Sequence, residues 1–308
     1  MSDVLGFIGL GSMGSGMARR LAVDEPGMYV HDINTAAASK FSNLAKGILH
    51  SPIEMGDTAN IVFLCMPDLK AGEEVVLGEK GLVHGRRVKV IVDLSTTGSR
   101  FAEKLGEAAS KYGITYLASP VSGGLAGAAA GTLAVMCSGP EEQYKQVLPY
   151  LERLSKRVFY LGEKPGSAQT MKLINNILSS IGLVAACQAF VFGTKAGLDP
   201  DLMLEVLNSG TGRNSATWGK FPLAILPRTF DHGSKTSITA KDVELCLAEA
   251  DALGVDMSIA KASQKVWQSI IDQGAADEDN TVLIKYLEKP AGVIVEGKAA
   301  RDRRQASR

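Results

Sequence analysis

Gly9-Leu10-Gly11-Ser12-Met13-Gly14 sets three glycines at the spacing of a dinucleotide-binding turn, after a strand-like run and at the opening of a helix-like one. Gly9 permits the tight turn, Gly11 lets the backbone approach a pyrophosphate, and Gly14 lets helix and strand come close. Ser12 and Met13 lead into the helix, whose N-terminus offers free N–H groups and partial positive charge to phosphates. The spacing also fits a plain tight βα turn. Asp32 ends the next strand-like run, near the ~20-residue offset at which a carboxylate accepts from the adenosine ribose hydroxyls. It would repel a 2′-phosphate, and no Arg follows it, so NAD is expected and NADP disfavoured. A helix-capping role for Asp32 is compatible with this.

Lys172 is the candidate acid/base. It opens a long uncharged run and is flanked by Met171, Leu173 and Ile174. Apolar surroundings disfavour an ammonium, which lowers a lysine's pKa towards the range where it exchanges protons at neutral pH. Asn176, one helical turn on, can orient the lysine or a substrate hydroxyl. A lysine snorkelling at a helix start has the same pattern, and periodicity does not choose between the two. His232, in Phe230-Asp231-His232-Gly233, stays open as another base.

Ser119-Pro-Val-Ser122-Gly123-Gly124 follows a strand-like run and so falls on the rim where open α/β sheets bind ligands. A hydroxyl with consecutive N–H groups suits a carboxylate, although Ser-Gly-Gly is more often an ordinary turn. Lys241 falls in the first turn of a helix-like stretch starting at Ile238, where the macrodipole disfavours a cation. That invites a functional reading, with solvent screening as the alternative.

The elements that must position these residues change character along the chain. Near-continuous apolar runs predict strands at Val4–Ile8, Met28–His31, Ile61–Cys65, Val88–Val92, Ile114–Leu117, Leu133–Cys137 and Val158–Leu161, buried on both faces as in a parallel sheet. Helices are expected between them, at Met13–Ala22, Thr35–Ala45, Arg100–Lys111 and Glu141–Leu151. The fold class is therefore α/β and doubly wound. Beyond residue 165 strand signals fade, and helices are expected at Asp201–Asn208, Ile238–Leu253, Ser258–Gln273 and Thr281–Leu287. Leu173–Thr194 carries no charge and is long enough to raise a membrane span. Asn175, Asn176, Ser179, Ser180 and Gln188 interrupt it, so it reads as a long helix buried all round. The domains expected are 1–164, 165–296 with its long helix over 165–195, and a frayed basic tail over 297–308.

The 308 residues carry 33 Lys+Arg against 33 Asp+Glu. That balance argues against a chain built to hold nucleic acid or an anionic membrane. The 45% hydrophobic and 21% charged residues exclude disordered and collagen-like classes. The four cysteines form no CxxC or Cys/His cluster, so neither a metal site nor a disulfide framework is expected. From Met1-Ser2-Asp3 the chain passes directly into strand-like residues. No leader is expected, and the location expected is cytoplasmic.

These motifs together resemble the β-hydroxyacid dehydrogenases, the family of 3-hydroxyisobutyrate dehydrogenase and tartronate semialdehyde reductase. The resemblance is carried by Phe7 to Gly14, Ser119-Pro-Val-Ser-Gly-Gly124 with Gly127 and Gly131-Thr132-Leu133, Lys172 to Asn176, and Lys241-Asp242, in the family's order. It implies a Rossmann domain, an interdomain helix, an all-helical C-terminal domain and a site in the cleft between domains. By the same carry-over Lys172 is the catalytic acid/base, Ser122, Gly123 and Gly124 hold the substrate carboxylate, and Asn176 holds its hydroxyl. Lys241 lies beside cofactor and substrate, and Met66, Pro67 and Thr96 line the cofactor. The activity implied is NAD-dependent oxidation of a small β-hydroxy acid, or the reverse, by a homodimer or homotetramer. An imine reductase and a non-catalytic cofactor-binding module are the rivals; both lack the lysine in relatives. Thr97-Gly-Ser-Arg100 departs from the family, whose members often have a Pro there, and Gly210–Thr217 matches no assignable specificity signature.

Overall fold

The computed structural model describes residues 3–24 and 27–306. Met1 and Ser2, used above to argue against a leader, and the last two residues of the basic tail lie outside these. The chain divides into Met1–Lys172 and Leu173–Arg308. The division falls inside the long helix, eight residues after the expected 164/165 boundary.

The first unit alternates strand and helix: β1 (Leu5–Ile8), α1 (Ser12–Asp24), β2 (Tyr29–His31), α2 (Thr35–Ser39), β3 (Gly47–Ile48), α3 (Pro52–Thr58), β4 (Ile61–Leu64), α4 (Leu69–Leu77), β5 (Val90–Asp93), α5 (Ser99–Ser110), β6 (Thr115–Ala118), β7 (Val121–Ser122), α6 (Gly124–Ala130), β8 (Leu133–Cys137), α7 (Glu141–Leu154) and β9 (Ser155–Tyr160). Six strands form one parallel sheet in the order β3-β2-β1-β4-β5-β6. Its order reverses beside β1, which opens a ligand crevice at the carboxyl ends of the strands. Successive strand residues face opposite sides. Phe7, Phe63, Val92 and Leu117 enter one core cluster, and Ile8, Val62, Leu64, Ile91 and Tyr116 enter another. Burial on both faces is why these strands read as unbroken apolar runs.

Three details correct the sequence reading. The strands do not all share a sheet: β7, β8 and β9 form a separate one, with β7 antiparallel to β8. The expected Thr35–Ala45 helix stops at Ser39, because Phe41, Ser42 and Leu44 donate to carbonyls three residues back and tighten the chain into turns around the buried Phe41. The two-residue strands β3 and β7 carry too little pattern to have been read.

The long helix α8 (Gly166–Lys195) begins in the first unit and continues into the second. Among the described residues it is the one helix long and apolar enough to cross a membrane, and half of its most apolar stretch is buried within the chain. It is not buried all round as expected, since Ile174, Leu178 and Phe192 are exposed.

The second unit adds α9 (Pro200–Ser209), a π-helix over Ala216–Ile225, α10 (Thr236–Ala252), α11 (Ser258–Asp272), α12 (Leu283–Ala291) and α13 (Lys298–Ala306). Their core holds Phe190 against Phe221, with ring centroids 4.0 Å apart, and a buried Trp267 whose indole N–H donates to Ser180 Oγ at 2.7 Å. The π-helix gave no 3.6-residue signal and was not expected. Just ahead of it, the Asn214 side chain accepts from the Ala216 and Thr217 N–H groups at 2.8 and 3.1 Å. The tail expected to fray is the helix α13. It lacks an apolar run but is tied down by polar bonds: Lys298 N–H to Asp201 at 2.7 Å, Arg301 to Asp199 at 2.8 Å, and Arg303 to the Pro227 carbonyl at 2.7 Å.

Candidate functional site

Ile8, His31, Leu64, Asp93 and Ala118 sit level with one another across the parallel sheet. The residues that follow them, Gly9, Asp32, Cys65-Met66, Leu94–Thr96 and Ser119, therefore leave the sheet on one rim. Parallel pairing alone brings together motifs scattered over more than a hundred positions of sequence.

The glycine turn fits a dinucleotide residue by residue. Gly9 has φ +95°, and a Cβ there would run into the Cys65 carbonyl and the Met66 methyl. A Cβ on Gly14 would overlap the Gly9 carbonyl, while one on Gly11 would meet nothing within 4 Å. The first and third glycines are thus required by the protein, whereas the second faces open space, where a pyrophosphate needs the backbone bare. Ser12, exposed, begins α1, and Met13 packs half-buried against the core beneath. Asp32 fixes the turn from the next strand: its carboxylate accepts from Leu10 N–H at 2.6 Å and Asn34 N–H at 2.7 Å. It does not cap α2; the Asn34 side chain does, accepting from Ala36 and Ala37. The carboxylate is only partly buried, and its remaining lone pairs suit ribose hydroxyls.

On the other side of β1, Met66 N–H donates to Ser95 Oγ at 2.8 Å, so the two loops expected to line the cofactor are tied together. Pro67 is exposed and Thr96 half-buried. Beneath them Asp93 accepts from Ser95 N–H at 2.9 Å and from the Tyr116 hydroxyl at 2.6 Å. Burial pushes both the Asp93 carboxyl and the Tyr116 phenol above their ordinary values.

Ser122 ends β7, paired with Ala134, and Gly123 and Gly124 follow at φ +138° and +67°. Those angles strain any residue with a Cβ, so the Ser-Gly-Gly turn is held open with both glycines exposed. Behind it, a Cβ on Gly123 or Gly127 would press on the Leu133 side chain at 3.0 and 3.1 Å. Gly131, at φ +70°, ends α6 in the left-handed conformation.

Lys172 is buried, with 8% of its surface exposed. Its surroundings are not those read from the sequence: Met171 and Ile174 are exposed, and of its flanking residues only Leu173 is buried with it. The first turns of α8 are anchored instead by polar contacts. Ser138 Oγ accepts from Ala168 N–H at 3.0 Å, and the buried Gln169 amide bonds the backbone of Ser95 and Thr97. In the second unit, Asn176 donates to Asp242 Oδ2 at 2.6 Å and accepts from Asn175 Nδ2 at 3.1 Å, which fixes its amide. Lys241 stands 3.4 Å from Asp242 Oδ1, a buried oxygen that accepts no hydrogen bond among the described residues. Because α10 starts at Thr236 and not Ile238, Lys241 lies in its second turn, and the macrodipole argument does not apply to it. Gln169 was not singled out by sequence reasoning, and Asp242 was named only as part of Lys241-Asp242 with no role of its own; their bonds to the expected site segments expose both.

Two other bases fail on position. His232 is exposed, and its neighbour Asp231 accepts instead from the Thr229 hydroxyl. A Tyr-x-x-x-Lys spacing of the short-chain dehydrogenase kind occurs at Tyr160–Lys164, but it runs from the end of β9 into a loop. The Tyr160 hydroxyl donates to the Gly139 carbonyl at 2.9 Å, its ring stacks on Tyr144, and burial pushes its phenol up, away from a base's range. All four cysteines are free, and no His/Cys/Asp/Glu group suited to a metal occurs among the described residues.

Comparison with known proteins gives the family. Residues 4–162 match the family described as the NAD binding domain of 6-phosphogluconate dehydrogenase, and residues 166–287 the NAD-binding of NADP-dependent 3-hydroxyisobutyrate dehydrogenase. The chain is 32% identical to 2-hydroxy-3-oxopropionate reductase of Escherichia coli, covering 92% of this chain and 97% of that one. Among solved structures, Mycobacterium tuberculosis 3-hydroxyisobutyrate dehydrogenase with L-serine superposes with a TM-score of 0.84 at 26% identity, covering 93% and 99% of the two chains. Psf3 in complex with NADP+ and 2-OPP superposes with a TM-score of 0.80 at 27% identity, covering 92% and 100%. The chain therefore belongs to the β-hydroxyacid dehydrogenase family, NAD(P)-binding oxidoreductases of the 3-hydroxyisobutyrate dehydrogenase type.

Proposed function

We propose that this chain oxidises a small β-hydroxy acid with NAD, or reduces the corresponding oxo acid, with Lys172 as the acid/base. The observation that carries the reading is the buried Lys172 on a helix start bonded, through Gln169, to the loop of Ser95–Thr97 at the sheet rim. When bound, the nicotinamide supplies the hydride acceptor. In the oxidative direction the Lys172 amine takes the substrate hydroxyl proton at Nζ, and in the reductive direction the ammonium returns it. The Ser122 hydroxyl and the N–H groups of the exposed Gly123 and Gly124 hold the carboxylate, and, by the family resemblance, the Asn176 amide orients the hydroxyl. Positioning together with proton transfer supplies most of the acceleration.

Asp32 supports NAD over NADP, since a carboxylate holding two backbone N–H groups cannot turn away from a 2′-phosphate without breaking both. The family resemblance gives Lys241, which stands beside Asp242, the role of a positive charge for cofactor and substrate. The exposed Phe192, Leu202 and Val206 support assembly of two or four copies through the helical unit. The test is to titrate NAD and then screen 3-hydroxyisobutyrate, serine, phenylserine, threonate and glycerate for NADH absorbance. Turnover of at least one is expected. NAD binding without turnover of any β-hydroxy acid, or turnover of imines alone, would overturn the reading.

A further inference from the structure

We infer that Gln169 is a positioning residue for this reaction: its amide clamps the helix bearing Lys172 to the loop bearing Thr96, and so sets where the lysine amine stands relative to the hydride acceptor. The inference rests on the proposed role of Lys172. Gln169 is fully buried. Its Oε1 accepts from Thr97 N–H at 3.0 Å and its Nε2 donates to the Ser95 carbonyl at 2.9 Å, so one planar amide satisfies the backbone groups on both sides of Thr96. That loop is fixed from its other side by Asp93 through Ser95 N–H and by Met66 through Ser95 Oγ. The helix is held one residue earlier as well, by Ser138 at Ala168 N–H and at the Pro165 carbonyl. Lys172 stands three residues past Gln169, on the same face and less than one turn away.

An apolar side chain would pack α8 onto the loop without the desolvation cost that a buried amide carries. What the amide adds is direction. Sliding or rotating the helix by about 1 Å breaks two hydrogen bonds together and strands the Thr97 N–H and the Ser95 carbonyl away from water, so the helix has one preferred register. A misplacement of that size costs on the order of 100-fold in rate when the reacting groups must meet in line.

The test compares Gln169→Glu, Gln169→Met and Lys172→Ala with the unaltered chain in the reductive direction, with NADH affinity and melting temperature measured alongside. An ionised Glu accepts from Thr97 but opposes the Ser95 carbonyl; a protonated one donates to it, as the amide does. Gln169→Glu is expected to lose about 100-fold in kcat near pH 8 with KM and NADH affinity within about threefold, and to recover as the pH falls. Gln169→Met should show a similar loss that does not change with pH, and both variants should show a larger primary deuterium isotope effect from labelled NADH. Turnover of both within about threefold of the unaltered chain, or a Gln169→Glu deficit that ignores pH, would overturn the inference. Lys172→Ala separates the two readings: if it keeps full turnover, the proposed function fails; if it is inactive while both Gln169 variants are normal, only the inference on Gln169 does.

Discussion

Removing the Asp32 carboxylate should reverse the cofactor preference, and the structure sets the size of the effect. In Asp32→Ala the bonds from Leu10 and Asn34, at 2.6 and 2.7 Å, are lost together with any bond from the ribose. Water can replace the carboxylate at the exposed Asn34, whereas Leu10 is buried and its N–H loses its acceptor, so the fold loses about 1 to 3 kcal/mol. Bound NAD loses a charge-assisted bond worth about 1.5 to 3 kcal/mol, roughly a 10- to 150-fold fall in kcat/KM. NADP gains, because a carboxylate about 5 Å from a phosphate charge repels it by about 1 to 3 kcal/mol at effective dielectrics of roughly 80 to 20. The two arms together move the NAD/NADP ratio by about two to four orders of magnitude. The assay is initial rates with both cofactors on the same hydroxy acid, read as the ratio of the two kcat/KM values, in which a general loss of stability cancels. A ratio within about threefold of the unaltered chain, or an unaltered chain that prefers NADP, would show that Asp32 does not read the ribose.

Gly11→Ala and Gly14→Ala should separate binding from folding: the first is expected to keep the melting temperature but weaken NADH binding at least ~10-fold, and the second to destabilise the fold by about 1 to 3 kcal/mol through its clash with the Gly9 carbonyl. Equal melting temperatures for the two would contradict the contact geometry. Lys220 is buried in the π-helix, and burial pushes its amine below the ordinary lysine value. The penalty for keeping it charged is present at neutral pH and disappears above the unfolded value of about 10.4. Lys220→Met should therefore stabilise the protein at pH 7, with a gain that shrinks as pH rises; a destabilised variant in urea unfolding would refute this. Burial opposes the ionised Asp279, but bonds from Thr281, Gly233 and Ser234 outweigh it and hold the carboxyl below its ordinary value. Its contribution is present above pH ~4 and lost as the pH falls through the depressed value. In acid titrations of stability, the gap between the unaltered chain and Asp279→Asn should close below that pH and stay constant above it.

The parallel sheet and its rim were legible because each strand is buried on both faces and so carries an unbroken apolar signature. Gly9, Gly11, Gly14 and Asp32 were legible because backbone conformation and close approach restrict those positions to few residue types. Local pattern failed where a long-range polar bond decides the structure. The tail has no apolar stripe, yet Arg301 and Lys298 bind it to acids about a hundred positions earlier in sequence. Gln169 looked like any polar residue at a helix start until its partners, 72 and 74 positions away, were in view. The motif marks Lys172, but apolar flanks do not account for it, since Met171 and Ile174 are exposed and only Leu173 is buried with it.

The central claim, that Lys172 exchanges the substrate proton, is tested most directly by single-turnover measurement of hydride transfer in Lys172→Ala, with substrate and NAD both saturating, in the presence and absence of small primary amines. The account predicts a fall of about 100- to 10,000-fold in the rate constant, NAD affinity near that of the unaltered chain, and partial recovery that rises with the concentration of unprotonated amine. Hydride transfer at the unaltered rate would contradict it.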